Sequence, residues 1–124
     1  MRTLNYLLLA VRDPLRSAEL YTRLLGRDPV EIAPTFVLYV LPTGLKIGLW
    51  LSDEMEPKPK PAGGVEISFT EDSKDAVRAT FAEWRRLGLK VLQAPTEMDF
   101  GFTCVLEDYD GHRLRPFVLG DNPR

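Results

Sequence analysis

Few side chains in this sequence could do chemistry, and their types already narrow what that chemistry is. There is one histidine, His112, and one cysteine, Cys104. A lone imidazole excludes a multi-histidine metal cluster, and a lone thiol excludes an intramolecular disulfide framework. His112 follows the turn-forming stretch Asp108-Tyr109-Asp110-Gly111 and reads as a surface turn residue. Cys104 lies in an apolar run and reads as a small buried strand residue. What remains is a set of flat rings and a few charges. Strand alternation puts Tyr6, Lys46, Gly48 and Trp50 on ligand-facing sides in the first half of the chain, and Glu66, Ser68, Arg115 and Phe117 in the second. A ring such as Trp50 stacks on a planar ligand with about 0.5–1.5 kcal/mol beyond simple area burial. Arg115 has the fork geometry to grip a carboxylate with two hydrogen bonds. Gly48, with no side chain, would let a flat ring approach the backbone. Met98 and Phe100 sit in an insertion and are candidates for a lid over the same ligand.

Several of these residues carry a second reading that the sequence leaves open. Trp50 is either a ligand contact or a core or dimer-contact residue. Glu66 and Arg115 either face a ligand or pair with each other, which would satisfy two groups that are costly to leave alone. The Met98–Phe100 stretch is either a lid or a packed loop. Phe36, Tyr39 and Phe102 could add to the lining, but their strand faces are not fixed by alternation. Trp84 falls on an apolar helix stripe and reads as core, and Asp53-Glu54-Met55-Glu56 reads as a solvated linker face.

Two similar halves must position these residues. Leu7-Leu8-Leu9-Ala10-Val11 reads as a buried strand, and Asp13-Pro14 follows as a helix cap and first helical residue. Leu15, Ala18, Tyr21 and Leu25 recur at helical spacing, and Gly26 stops the helix. A second strand, Val65 to Phe69, precedes a helix capped by Asp72 or Ser73, with a stripe of Val77, Phe81, Trp84 and Leu87 ending at Gly88. The helix starts Pro14 and Lys74 stand 60 residues apart, the stops Gly26 and Gly88 62 apart, and Ala33-Pro34-Thr35 returns as Ala94-Pro95-Thr96 after 61. Gly44-Leu45-Lys46-Ile47 is similar to Gly111-His112-Arg113-Leu114, 67 residues on, with the extra residues falling around Glu97 to Phe100.

Each half continues in strands. In the first, a short edge strand is expected at Pro29–Ile32, then a hairpin of Phe36–Leu41 and Leu45–Leu51 around Pro42-Thr43-Gly44. In the second, a short strand at Lys90–Gln93 precedes Phe102–Glu107 and His112–Leu119. The repeat units thus run over about 3–51 and 64–119, joined by a proline-rich linker over about 52–63.

Composition fits one domain, or two small halves sharing a core. Of 124 residues, 44% are hydrophobic and 27% charged, enough to fold. Sixteen basic and 18 acidic residues leave a formal charge of −2, which gives no electrostatic footprint for nucleic acid or an anionic membrane. Apolar runs such as Phe36–Leu41 fall far short of the roughly 20 residues of a membrane helix. No secretory signal pattern is visible, and the expected location is the cytoplasm.

The strand–Asp-Pro–helix segment from Leu7 to Gly26 and the late Asp108-Tyr109-Asp110-Gly111-His112-Arg113 turn carry a resemblance. From Thr3 to Val118 the chain resembles the vicinal oxygen chelate superfamily, which includes glyoxalase I, extradiol dioxygenases and bleomycin-resistance proteins. The late turn departs from the common Asp-Pro-Asp-Gly-Asn form, with Tyr109 replacing proline. Gly48-Leu49-Trp50, Ala62-Gly63-Gly64 and the stretch Gln93 to Gly101 are similar to the phenazine-antibiotic-resistance, glyoxalase-like branch. The resemblance implies an α+β fold of two tandem βαβββ units, with curved mixed sheets around a cleft and helices outside. It also implies a homodimer.

Enzymes of the superfamily hold a divalent metal with His, Glu or Gln at four positions, which fall here on Tyr6, approximately Gly48, Glu66 and Arg115. Glycine offers no donor, arginine repels a cation, and a protonated phenol is a poor ligand. No metal and no cofactor are therefore expected. The expected function is that of a binding protein rather than an enzyme: metal-independent sequestration of a planar aromatic, phenazine-like antibiotic, conferring resistance. The alternatives are a metal-dependent lyase, isomerase or dioxygenase with displaced ligands, or a structural module whose cleft binds nothing small.

Overall fold

A computed structural model describes residues 2–120. The chain forms two compact units, one ending at Lys60 and the other starting at Pro61. The first contains β1 (Tyr6–Val11), α1 (Pro14–Leu25), β2 (Glu31–Ala33), β3 (Phe36–Val40) and β4 (Lys46–Leu51), followed by one 3-10 turn at Ser52–Glu54. Its sheet runs β1-β4-β3-β2, with β1 parallel to β4 and the other pairs antiparallel. The cap forms as expected: the Asp13 side chain accepts from the Arg16 N–H at 3.2 Å, and Pro14 opens the helix. Gly26, at φ 66, ends it in the left-handed region that glycine tolerates best. Val11, Val37, Tyr39, Ile47 and Leu49 are buried on the sheet face toward α1. The Tyr39 hydroxyl donates to the Ala18 carbonyl at 3.0 Å and lies 3.0 Å from the Thr22 hydroxyl, tying α1 to β3. Burial, foremost, pushes the Tyr39 phenol above its ordinary pKa.

The second unit contains β5 (Glu66–Thr70), α2 (Lys74–Arg86), β6 (Lys90–Met98), β7 (Gly101–Glu107) and β8 (Arg113–Leu119). Its sheet, β5-β8-β7-β6, repeats the topology of the first, including the parallel pair. Of the two candidate caps, Ser73 is used: its hydroxyl accepts from the Ala76 N–H at 3.0 Å. Trp84 is core, 4% exposed, and meets Phe69 edge-on at 5.3 Å between ring centres. The late turn closes with the Asp108 carboxylate accepting from the N–H groups of Asp110 at 2.9 Å and His112 at 2.8 Å, so His112 does sit in the turn.

Three expectations need correction. The first edge strand lies at Glu31–Ala33, not Pro29–Ile32, because Pro29 has no N–H to enter a ladder. Val65, expected to begin β5, precedes it and is 77% exposed. The third is the insertion. The short strand expected at Lys90–Gln93 is a nine-residue strand that takes in Glu97 and Met98. The extra residues lengthen the β6–β7 hairpin, with Glu97 paired to Phe102 and Met98 to Gly101, while two register slips lie further back in β6, between Val91 and Gln93 and between Gln93 and Thr96. Pro95 falls within the second slip of this edge strand, where a missing donor costs least. Met98 and Phe100 therefore belong to the end of a hairpin, with Asp99 and Phe100 as its turn, and not to a free-standing lid. Among the described residues, no helix is long and apolar enough to cross a membrane.

Candidate functional site

The face of the first sheet opposite α1 gathers the rings expected there. In register, Tyr6 lies beside Lys46, Leu8 beside Gly48, and Phe36 beside Trp50. Tyr6, Leu8, Phe36 and Trp50 line an open bowl of about 390 Å³. Phe36 and Trp50 meet at 88° with centres 6.5 Å apart, so they form two walls of the bowl and not a closed stack. Tyr6 and Leu8 stay 40% and 45% exposed, large values for apolar groups sharing one face. At the rim, the Lys46 ammonium stands 5.8 Å from the Tyr6 ring centre. The backbone of Gly48 is not open to an incoming ring as expected: Leu8 and Phe36 already rest against it. A Cβ at this position would come within 2.7 Å of Leu8 Cδ2 and 2.9 Å of Phe36 Cζ.

The second sheet gathers the charged set on the face opposite α2. Ser68 pairs with Arg115 and Thr70 with Phe117 in register, and Glu66 with Arg113. The Glu66 carboxylate is shared by two guanidiniums. Arg113 donates to its Oε1 from Nε at 2.9 Å and Nη2 at 2.8 Å. Arg115 donates from Nε to Oε2 at 3.0 Å and from Nη2 to Oε1 at 3.1 Å. The hydrogen bond from Arg115, foremost, with the charges of both arginines, holds the Glu66 carboxyl below the usual carboxylate range against the opposing effect of burial. The remaining Nη1 of Arg115 donates to the Thr103 hydroxyl at 3.3 Å and Gln93 Oε1 at 3.5 Å, while Thr103 itself donates to the Pro116 carbonyl at 2.9 Å.

Of the two readings of Arg115, the pairing one holds: the fork expected to grip a ligand carboxylate is turned onto Glu66. Phe100 and Phe117 meet edge-on at 6.3 Å, and the Arg115 guanidinium carbon lies 5.9 Å from the Phe100 ring centre. Met98 stays 41% exposed, its sulfur 3.7 Å from Gln93 Nε2. Ser68 is exposed on the same face.

The three rings left open by alternation are now placed. Phe36 joins the bowl. Tyr39 and Phe102 turn to the helices, Phe102 with the Arg78 guanidinium 4.7 Å from its ring centre. Reasoning from sequence missed Gln93 and Thr103 as members of the polar cluster, and put Arg113 on the face of Arg115 and Phe117 without counting it as a site residue. Period-2 alternation from Arg115 was a sufficient signal for Arg113, whereas the slips in β6 hide the face of Gln93.

A divalent metal does not fit the residues at the four inferred positions. Gly48 has no donor and is covered by hydrocarbon, Arg115 is a cation, and the oxygens of Glu66 already accept from two guanidiniums. Among the described residues, no three His, Cys, Asp or Glu side chains group as a metal site would require. Cys104 is fully buried, and burial, foremost, pushes its thiol up to about 11, far from nucleophilic.

Comparison with known proteins agrees with the topology. The sequence profile of the Glyoxalase/Bleomycin resistance protein/Dioxygenase superfamily matches residues 3–115. The chain is 27% identical, over 91% of its length and 89% of the relative's, to the phenazine antibiotic resistance protein EhpR of Enterobacter agglomerans. It is similar to the solution structure of protein ATC0852 from Agrobacterium tumefaciens, with 41% identity and a TM-score of 0.89 over 97% of this chain and 99% of that one. A glyoxalase-related enzyme from Fulvimarina pelagi shares the fold at 17% identity, with a TM-score of 0.83 over 100% of this chain and 96% of its own. With its tandem βαβββ units, its α+β architecture and a profile match over nearly its whole length, the chain belongs to the glyoxalase/bleomycin resistance protein/dioxygenase superfamily.

Proposed function

We propose that this protein binds and sequesters a planar aromatic compound of the phenazine type, and so confers resistance without a metal-dependent reaction. The single observation that carries the reading is the bowl on the first sheet. Four apolar side chains of Tyr6, Leu8, Phe36 and Trp50 share one face and are left partly in water. Burying such rings against a fused aromatic ligand gains both area burial, at about 25 cal/mol per Å², and ring–ring contact. The Lys46 ammonium at the rim adds attraction for an acidic substituent on the ring. Similarity to a phenazine antibiotic resistance protein supports the ligand class.

Tyr6, Lys46, Gly48 and Trp50 are assigned to this surface. Glu66, Ser68, Arg115, Phe117, Met98 and Phe100 are assigned to a second ligand-facing surface, on which the Arg–Glu–Arg cluster is a fixed polar floor and not a free anion clamp. The homodimer implied by the family resemblance stays part of the proposal, and sedimentation equilibrium tests it.

Titration with phenazine-1-carboxylate tests the function. Saturable quenching of tryptophan fluorescence is expected, with the ligand recovered unchanged after prolonged incubation. Because Trp50→Leu removes a fluorophore, that variant is measured by calorimetry, where at least a tenfold weaker affinity is expected. Unchanged affinity in Trp50→Leu, or conversion of the ligand, overturns the reading.

A further inference from the structure

We propose that Gly48 selects the size of ring that the first unit accepts, by letting the chain's own side chains lie flat. This rests on the reading of the bowl as the ligand surface. Gly48 sits in β4 between Leu8 of β1 and Leu38 of β3. It has an ordinary strand conformation, since its φ is not among the positive values. Backbone freedom is therefore not why a glycine stands here. The reason is space. A Cβ would lie 2.7 Å from Leu8 Cδ2, 2.9 Å from Phe36 Cζ and 3.0 Å from Phe36 Cε1, all closer than packed carbons approach.

The obstructing atoms are the outer ends of two side chains on the bowl face, and not backbone. An added methyl would therefore push Leu8 and Phe36 outward rather than break the sheet. The space they would move into is the bowl of about 390 Å³ in front of Tyr6 and Trp50. A glycine keeps that volume free for a fused three-ring ligand. An alanine would fill part of it with the protein's own hydrocarbon.

The test is Gly48→Ala, read in two ways. Methyl NMR of Leu8, whose Cδ2 would lie 2.7 Å from the added Cβ, reports whether this side chain is displaced. Calorimetry with phenazine-1-carboxylate and with the two-ring quinoxaline-2-carboxylate reports the consequence. The expected result is a folded variant with shifted Leu8 methyls and a tenfold or greater loss for three rings. For two rings the expected loss is less than threefold. Combining Gly48→Ala with Leu8→Ala removes the nearest obstruction. In the Leu8→Ala background, where only the Phe36 contacts remain, adding Gly48→Ala is then expected to cost less for the three-ring probe than it does in the wild-type background.

Equal losses for both probes, or the same loss in both backgrounds, overturn the proposal and show that Gly48 serves only the packing of the sheet. Retained three-ring affinity with displaced methyls overturns it as well. If the wild-type protein binds neither probe, the sequestration reading fails and this proposal with it. That outcome is distinct from binding that is indifferent to position 48.

Discussion

Glu66→Gln isolates the charge at the centre of the second sheet. The substitution keeps the shape and one acceptor oxygen but removes the negative charge and turns an NH2 group toward an arginine, donor against donor. Four nitrogen–oxygen contacts between 2.8 and 3.1 Å are affected. Breaking a fully buried pair costs about 3–5 kcal/mol and an exposed pair about 0.2–1 kcal/mol. The side chains here are 17% exposed for Arg115, 29% for Glu66 and 37% for Arg113, between those limits. A loss of about 2 kcal/mol follows, or a fall in Tm of about 8 °C for a domain of this size.

The effect depends on pH with a definite sign. The folded protein holds the Glu66 carboxyl below its ordinary value of 4.5. The stabilisation is therefore complete at pH values above that of the unfolded carboxyl, and is lost as pH falls through the lower folded value. Thermal melts of wild type and Glu66→Gln, from pH 7 down to pH 3, are expected to converge as the wild type protonates. Melting within 1 °C of wild type at pH 7, or a gap that stays constant as the pH falls, would refute the assignment of Glu66 as the charge that holds the two arginines.

Other outcomes follow from the same geometry. Tyr39→Phe removes a buried hydroxyl that bridges the Ala18 carbonyl and the Thr22 hydroxyl, and should cost about 1 kcal/mol in urea unfolding with an unchanged m-value. Gly101→Ala places a Cβ 3.0 Å from Leu119 Cα and 2.9 Å from the Gly120 nitrogen at a φ of 153, so loss of cooperative folding by circular dichroism is expected. Lys46→Met should weaken binding of phenazine-1-carboxylate about threefold to tenfold and leave neutral phenazine unaffected, with the difference shrinking as salt rises. Elemental analysis of purified protein should find no stoichiometric zinc, nickel, manganese or iron, and a chelator should leave the Tm unchanged, as the donor set at Gly48, Glu66 and Arg115 requires.

The amino-acid order alone determined the repeat, both helices and most strand positions. Asp13-Pro14 and Ser73 are local signals that act through neighbouring N–H groups, and Gly26 and Gly88 act through their own φ. Period-2 alternation also placed Tyr6, Lys46, Gly48 and Trp50 on one face, and Glu66, Ser68, Arg115 and Phe117 on another, as the strand registers have them. Alternation says which residues share a face but not which atoms meet across it. Glu66 and Arg115 are 49 residues apart, and only the parallel pairing of β5 with β8 brings the carboxylate between two guanidiniums. That pairing turned the expected carboxylate clamp inward. The Met98–Phe100 insertion read as a loop because the repeat offsets show only that residues are added, whereas the pairing of Glu97 with Phe102 and Met98 with Gly101 makes it the end of a hairpin. The glycine at position 48 is visible in the sequence, but the leucine and phenylalanine lying over it are set by three strands at once, and that packing belongs to the tertiary structure.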